Sequence, residues 1–258
     1  MKCNGINFST MYTRGSQKSR NRIIHKMSDN IYVGVIKKYS TSSPDKKFIS
    51  IKEIKDIFRK ILPEPLHLNI KKLIKKNPDA DGSIYTLCSD KGIYGYKINI
   101  PIKNNLMHIK NIPILMHETT HLLDFAVNTK HNAVFGKFVN NPMFDKVVEL
   151  YEKFYYTIED FSRFRIKYET KKLLKDMTNE DKLLALKYLK LNVETEKNAY
   201  DATIFYAERL RMLRRDIRGY DGLKSSDFNF RTKIKLLDKM RYKIIKQERN
   251  KIRKNAVV

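Results

Sequence analysis

The stretch IPILMHETTHLLDF, residues 112–125, constrains this chain more than any other part of its sequence. His117 and His121 stand four positions apart, and Glu118 directly follows the first histidine. On an α-helix, residues four apart lie about 40° apart around the axis and one turn along it, so both imidazoles can reach one metal ion. Glu118 is rotated by about 100° from His117, which places it beside a metal-bound water molecule instead of in the ligand set. The threonines and leucines around the pair are uncharged, as expected of a buried helix.

This pattern has two interpretations. The first is a zinc site in which His117 and His121 bind Zn²⁺, the metal acidifies a water molecule, and Glu118 removes its proton as general base. The second is an ordinary amphipathic helix with two histidines on its polar face. The remaining histidines support no rival site of this kind: we predict surface or core positions for His25, His67 and His108, which have no partner at ligand spacing.

The composition indicates a folded but strongly basic protein. Apolar residues make up 41% and aromatic residues 11% of the 258 residues, which argues against a disordered chain. The formal net charge is +25 at pH 7. Two explanations of this charge are open. It reflects a genome whose base composition favours lysine codons, or it serves to bind an acidic partner such as nucleic acid, an anionic membrane or an acidic protein surface.

Targeting and redox signals are few. Cys3 and Cys88 are the only cysteines, so neither a disulfide framework nor a CxxC motif exists. No apolar run is long enough to span a membrane, and the N-terminus lacks the apolar core of a Sec signal. These features predict a cytoplasmic protein, or an effector that is secreted by a route other than Sec.

Composition and periodicity predict a flexible leader over 1–30 and a single domain over 31–258, with a mixed half (31–141) and a helical half (142–258). In the mixed half we predict a strand at 30–39, a helix at 50–62 capped by Ser50, a helix or strand at 67–77, a hairpin of strands at 83–88 and 92–102, and the histidine helix. In the helical half we predict one or two helices over 142–177, a helix with a Thr178–Asp181 capping box at 178–192, and helices at 193–215 and 230–254.

LMHETTHLLDF resembles the active-site helix of the zincin metallopeptidases. The resemblance implies an α+β, zincin-like fold, in which a small N-terminal sheet precedes the active-site helix and a helical lobe follows it. It also implies that an edge strand of the sheet holds the extended substrate, a role that we assign to 92–102. No GxxH follows His121, which disfavours the metzincin branch. The chain is more similar to the gluzincins, including bacterial secreted toxins and effectors of the lethal-factor type.

Gluzincins take their third zinc ligand from a glutamate on a later helix, often within ExxA, and Glu196-Lys-Asn-Ala199 matches that pattern. Two features depart from the family: about 75 residues separate His121 from Glu196, and Tyr200 occupies the position four after Glu196, where an acidic residue is common. Glu194 is therefore a rival ligand. The further candidates are Asp124, Asp201, Glu208 and His131.

Two supporting roles complete the predicted site. Asp124 lies on the same helical face as the histidines and is the candidate acceptor for an imidazole N–H. Tyr200, one turn beyond Glu196, is the candidate hydrogen-bond donor to the oxyanion, ahead of Tyr188 and Tyr206.

The sequence thus predicts a zinc-dependent metallopeptidase that hydrolyses peptide bonds of a protein substrate with an acidic surface. The alternative is a strongly basic nucleic-acid-binding protein without catalytic metal. That alternative rests on the net charge and on the basic last helix, but no recognised motif interleaves its aromatic and basic residues.

Overall fold

The computed structural model describes residues 47–61, 74–77, 83–89, 92–127, 129–158, 161–213 and 226–255. The predicted leader and the predicted strand at 30–39 lie outside these residues. The protein is of the α+β class, as predicted: helices predominate, and the strands form one two-stranded and one three-stranded sheet among the described residues. In that part of the chain, no helix combines the length and the apolar character needed to cross a membrane.

The elements follow one another in a simple order. The first part of the chain contains β1 (Phe48–Ser50), α1 (Ile51–Ile61), β2 (Ile74–Asn77), β3 (Ser83–Ser89), β4 (Gly92–Pro101), β5 (Leu106–His108), a 3₁₀ turn (Ile109–Asn111) and α2 (Ile112–Val127). The second part contains α3 (Thr129–Phe138), α4 (Phe144–Leu150), a π-helical turn (Tyr151–Tyr155), α5 (Arg163–Leu174), α6 (Asn179–Leu213) and α7 (Phe230–Asn255).

The chain divides into two compact units. The first comprises Met1–Thr129 with Ala199–Gly222, and the second comprises Lys130–Asn198 with Leu223–Val258. The predicted boundary between 141 and 142 falls inside the second unit, and α6 runs unbroken through both. That the chain forms a single catalytic domain stays a prediction.

In the first unit, β4 is the central strand of the three-stranded sheet. It pairs in parallel with β2 and antiparallel with β3, in the order β2-β4-β3. The predicted β3–β4 hairpin is confirmed by the pairing of Ser89 with Gly92. The prediction that 92–102 is an edge strand is wrong. The segment 67–77, predicted as either a helix or a strand, contributes β2, and β2 pairs with β4 on the side opposite β3. The second half of β4 is buried at three successive residues, Ile98–Ile100, and because successive side chains point to opposite faces, both faces of the strand are covered there.

A tight turn follows β4. Asn104 and Asn105 both have positive φ, of 52° and 62°, and Lys103 exchanges two backbone hydrogen bonds of 2.9 Å with Leu106. This two-residue turn suits asparagine, which tolerates the left-handed region. It leads into β5, a strand that the sequence analysis missed and that pairs with β1.

Two predicted helix starts are confirmed by their capping side chains, and one predicted helix break is wrong. The Ser50 cap of α1 is confirmed, with Glu53 N donating to Ser50 Oγ at 3.3 Å and Ser50 N donating back to the Glu53 carboxylate at 2.8 Å. The Thr178–Asp181 capping box of α6 is also confirmed. The break predicted at residue 192 is wrong: α6 continues for 35 residues, since its sequence contains neither glycine nor proline.

Candidate metal centre

Helix α2 presents the HETTH residues from within the fold. Pro113 fits its first turn, where no backbone N–H is required. The helix packs against β3 and β4 and buries residues on most of its sides. The buried hydroxyls of Thr119 and Thr120 donate to the carbonyls of Leu115 and Met116, at 2.6 and 2.8 Å, so these polar side chains are accommodated without water.

The two histidines of α2 converge as their spacing predicts. Nε2 of His117 lies 3.1 Å from Nε2 of His121, and the ring planes meet at 76°. Two nitrogens bound to one tetrahedral zinc, each about 2.05 Å from the metal, would be roughly 3.3 Å apart. The imidazoles therefore already stand at nearly the separation that a shared zinc ion requires.

Thr203 of α6 fixes the orientation of His117, and the sequence analysis did not identify it. Its hydroxyl donates to the Ala199 carbonyl at 2.8 Å, and its oxygen lies 3.1 Å from Nδ1 of His117. Because the hydroxyl hydrogen is already used, Oγ1 accepts from Nδ1–H. This hydrogen bond selects the tautomer in which the His117 Nε2 lone pair is available for a metal. Its position seven residues after Glu196, hence on the same face of a helix, was the signal that could have identified it.

Glu196 brings a carboxylate to the histidine pair. Ligand atoms of His117, His121 and Glu196 all lie within 4.8 Å of one another. Glu196, Tyr200 and Thr203 are spaced i, i+4 and i+7 on one unbroken helix, so they share a face, and both of the latter contact His117.

The rival ligands are not members of this group. Glu194 forms an ion pair with Lys190 at 3.6 Å, and neither Asp124, Asp201 nor Glu208 joins the three-residue cluster found among the described residues. The side chain of His131 lies outside the description.

The apolar residues expected to accompany an inward-facing Glu196 are largely buried. Val193, Ala199 and Ala207 are buried, and Ile204 is half-buried. Ala199 has the small side chain that allows close approach of a neighbouring helix. These positions lie within about 60° of Glu196 around the helix axis, except Ile204, whereas Glu194 lies on the opposite side.

The donor set fits zinc. Two imidazole nitrogens and one carboxylate oxygen form a common catalytic zinc set, which leaves a fourth coordination position for water or substrate. Calcium and magnesium prefer all-oxygen ligands, so two converging imidazoles disfavour them.

Glu118, Asp124 and Tyr200 were also predicted to belong to the site. Glu118 is only 5% exposed and lies between the two histidines on α2. Asp124 is buried on the same helix, and its interaction with an imidazole stays a prediction. The ring of Tyr200 contacts His117 edge-to-face, with centroids 4.7 Å apart.

Tyr188 and His108 make structural contacts elsewhere in the fold. Tyr188 packs among Phe135, Phe138 and Phe144, and burial raises the pKa of its hydroxyl. His108 caps the 3₁₀ turn by accepting a hydrogen bond of 3.1 Å from Lys110 N. His25 and His67 lie outside the described residues, and so does the side chain of Tyr206.

No family model, curated protein or solved structure matches this chain.

Proposed function

We propose that this chain is a zinc-dependent metallopeptidase of the gluzincin type, with a zincin-like fold around α2. His117, His121 and Glu196 hold the zinc, Glu118 is the general base, and a protein is the substrate. The observation that carries the proposal is a group of three potential ligand atoms from two helices, all within 4.8 Å of one another. The order of the parts, with HExxH first and the glutamate on a later helix, matches the gluzincin arrangement.

Bound zinc would supply Lewis acidity, which makes water nucleophilic near neutral pH and polarises the scissile carbonyl. The chain must then move one proton. The carboxylate of Glu118 accepts it from the attacking water and delivers it to the departing amine nitrogen, while the new C–O bond forms and the C–N bond breaks. Its burial favours this role, because a carboxylate that is only 5% exposed is shielded from bulk water.

Tyr200 has two roles in this mechanism: it holds His117 in position and donates a hydrogen bond to the oxyanion. Its ring supports one side of His117, and its phenol is a donor suited to the negative charge that develops on the carbonyl oxygen. Removing one such donor costs about 10²–10³ in kcat. Tyr200→Phe should therefore lower kcat by that factor while KM and zinc content change little.

Strand β4 is not the strand that would bind an extended substrate. Because β4 has partners on both sides, an extended peptide would pair with a strand at the margin of the sheet, and β3 is the antiparallel neighbour that reaches α2. Delivery as a secreted effector stays a prediction, since the leader lies outside the described residues.

The proposal is tested by metal analysis together with mapping of new protein N-termini in a cell extract. Wild-type protein and Glu118→Gln should each hold about one zinc per chain after reconstitution, since Glu118 is not a ligand. New N-termini should form only with the wild type, because loss of a general base slows catalysis by about 10²–10⁴-fold.

Two outcomes would refute the proposal. One is wild-type protein that binds no zinc after reconstitution; the other is zinc-loaded Glu118→Gln that generates the same new N-termini at the same rate. Salt-sensitive oligonucleotide binding by metal-free protein, without proteolysis by the zinc form, would favour the nucleic-acid alternative.

A further inference from the structure

A groove along α5 and α7 in the second unit combines an apolar floor with a basic rim. Its volume is about 580 Å³. The apolar side chains that line it include Leu174, Leu236, Met240 and Ile244, and Phe164 stands at its margin with 78% of its surface exposed. Leu174, Leu236 and Met240 are each 7% exposed or less and form the bottom of the recess, so Phe164 supplies the large exposed apolar side chain beside it. An apolar recess next to an exposed aromatic side chain is typical of an interaction site.

The rim of the groove is cationic throughout. Seven of the 13 lining residues are lysine or arginine, and none of the described lining residues is acidic. Repulsion from Lys171 and Lys243 lowers the pKa of Lys167. Cations that repel one another in the unbound protein favour an anionic occupant, because its charge relieves that repulsion.

The shape of the groove indicates the form of that occupant. On α5 the lining residues extend from Arg163 to Leu174, and on α7 they extend from Leu236 to Gln247. Each span covers eleven steps of an α-helix, or about 16 Å at 1.5 Å per residue. A helix of three turns matches this length, and roughly three or four large apolar side chains match the volume, given that about 150 Å³ holds one benzene.

We propose that this groove binds an acidic amphipathic helix of a partner protein. The apolar side chains of that helix would lie at i, i+3, i+4 and i+7 against the floor, and its flanking carboxylates would pair with Lys167 and Lys243. A nucleic acid would satisfy the rim but would leave the aliphatic floor without a partner. The inference does not depend on the metal centre, because binding is measured without turnover.

The test uses a fluorescent peptide of three to four turns, with leucines at i, i+3, i+4 and i+7 and glutamates on the flanking positions. Fluorescence anisotropy at physiological salt should show saturable binding to the full chain. Lys167→Glu combined with Lys243→Glu should weaken it at least tenfold, and Phe164→Ser should weaken it measurably. NMR of Lys167 should show its pKa rising on binding.

The chain offers matched controls on the same two helices. Lys172 and Lys235 are exposed and lie outside the groove, so Lys172→Glu combined with Lys235→Glu makes the same change in net charge and should leave binding nearly unchanged. Tyr168→Ser is the corresponding control for Phe164→Ser.

Three results would overturn the inference. The first is equal loss of binding in both lysine pairs, which would indicate diffuse attraction. The second is equal affinity for a peptide of the same composition with its leucines scrambled off one face. The third is tighter binding of oligodeoxythymidine or phosphatidylserine vesicles, sensitive to the same groove substitutions.

Discussion

Two clusters of buried polar side chains differ in what their side chains contact. At the candidate metal centre, the Nε2 atoms of His117 and His121 face each other at 3.1 Å, and the Glu196 carboxylate lies nearby.

The second cluster lies in the second unit. There, buried Tyr155 donates to Thr170 Oγ1 at 2.8 Å, while Thr170 donates to the Ile166 carbonyl. Lys233, only 3% exposed, donates to the carbonyls of Tyr155 and Thr157 at 3.1 and 3.0 Å.

The two clusters differ in how their hydrogen-bonding groups are matched. Around Tyr155, both hydroxyls and the Lys233 ammonium donate to oxygen acceptors, which is the arrangement that keeps a folded core stable. At the candidate metal centre, two imidazole nitrogens and a carboxylate oxygen, all groups that can bind a cation, lie within 4.8 Å of one another. That arrangement suits a bound cation. Substitutions at the first cluster should therefore change metal affinity, and substitutions at the second should change the free energy of unfolding.

The largest effect should separate Glu196 from Glu194. Glu196→Gln removes an anionic ligand, and the affinity for zinc should fall by orders of magnitude, together with peptidase activity. Glu194→Gln removes half of a partly exposed ion pair with Lys190 and should change neither. Zinc titration with a competing chelator measures both. The reverse result would make Glu194 the ligand, and zinc affinity unchanged in both variants would exclude a gluzincin centre.

A smaller effect on zinc should follow Thr203→Val, which removes the acceptor for His117 Nδ1–H at nearly constant volume. Loss of such a supporting hydrogen bond weakens zinc affinity by about 10–100-fold. The control is Thr195→Val on the same helix, because Thr195 is also buried and donates to a carbonyl four residues back, that of Leu191. Equal zinc affinities in the two variants would show that Thr203 does not orient His117.

Lys233→Met should lower the stability of the fold without changing the affinity for zinc, the opposite of what is expected for Thr203→Val. Two carbonyls near the end of the π-helical turn lose their donor, so the free energy of unfolding should fall by about 1–3 kcal/mol. Urea denaturation measures this loss, and zinc affinity should stay at the wild-type value. Lys235→Met, at an exposed position of the same helix, should change the stability by less than about 0.5 kcal/mol. A stability loss as large in the Lys235 variant would contradict the role of Lys233.

The smallest effect concerns Tyr155 and depends on pH. Tyr155→Phe should cost about 1 kcal/mol near pH 8, the net value of one hydrogen bond. Burial raises the pKa of Tyr155 in the folded protein. The unfolded tyrosine therefore ionises first, near pH 10, and the stability contributed by Tyr155 is present below that pH and lost above it. Urea denaturation at pH 8 and above pH 10 should show the difference between wild type and variant narrowing. A constant difference would mean that the raised pKa is absent.

Local geometry was predictable because it depends on residues within one or two turns. The four-residue spacing of His117 and His121 determines that their rings share a helical face, and the Ser50 and Thr178 caps follow from side chains that bond the next turn. The β3–β4 hairpin is local in the same sense. The sequence also indicated the inward face of α6, because Val193, Ala199 and Ala207 cluster on the side of Glu196.

Contacts between distant segments needed the tertiary structure. The sequence alone could not place α6 against α2 or show that Thr203 meets His117, since 86 residues separate these two side chains along the chain. Likewise, the residue pattern of β4 is compatible with an edge strand and with a central strand. It does not reveal whether β2 pairs with β4. The sequence therefore determined the histidine pair and the glutamate beside it, and it offered Glu196 and Glu194 as candidate third ligands. Only packing brought Glu196, and not Glu194, to the histidine pair, because long-range contacts depend on how whole elements bury their faces together.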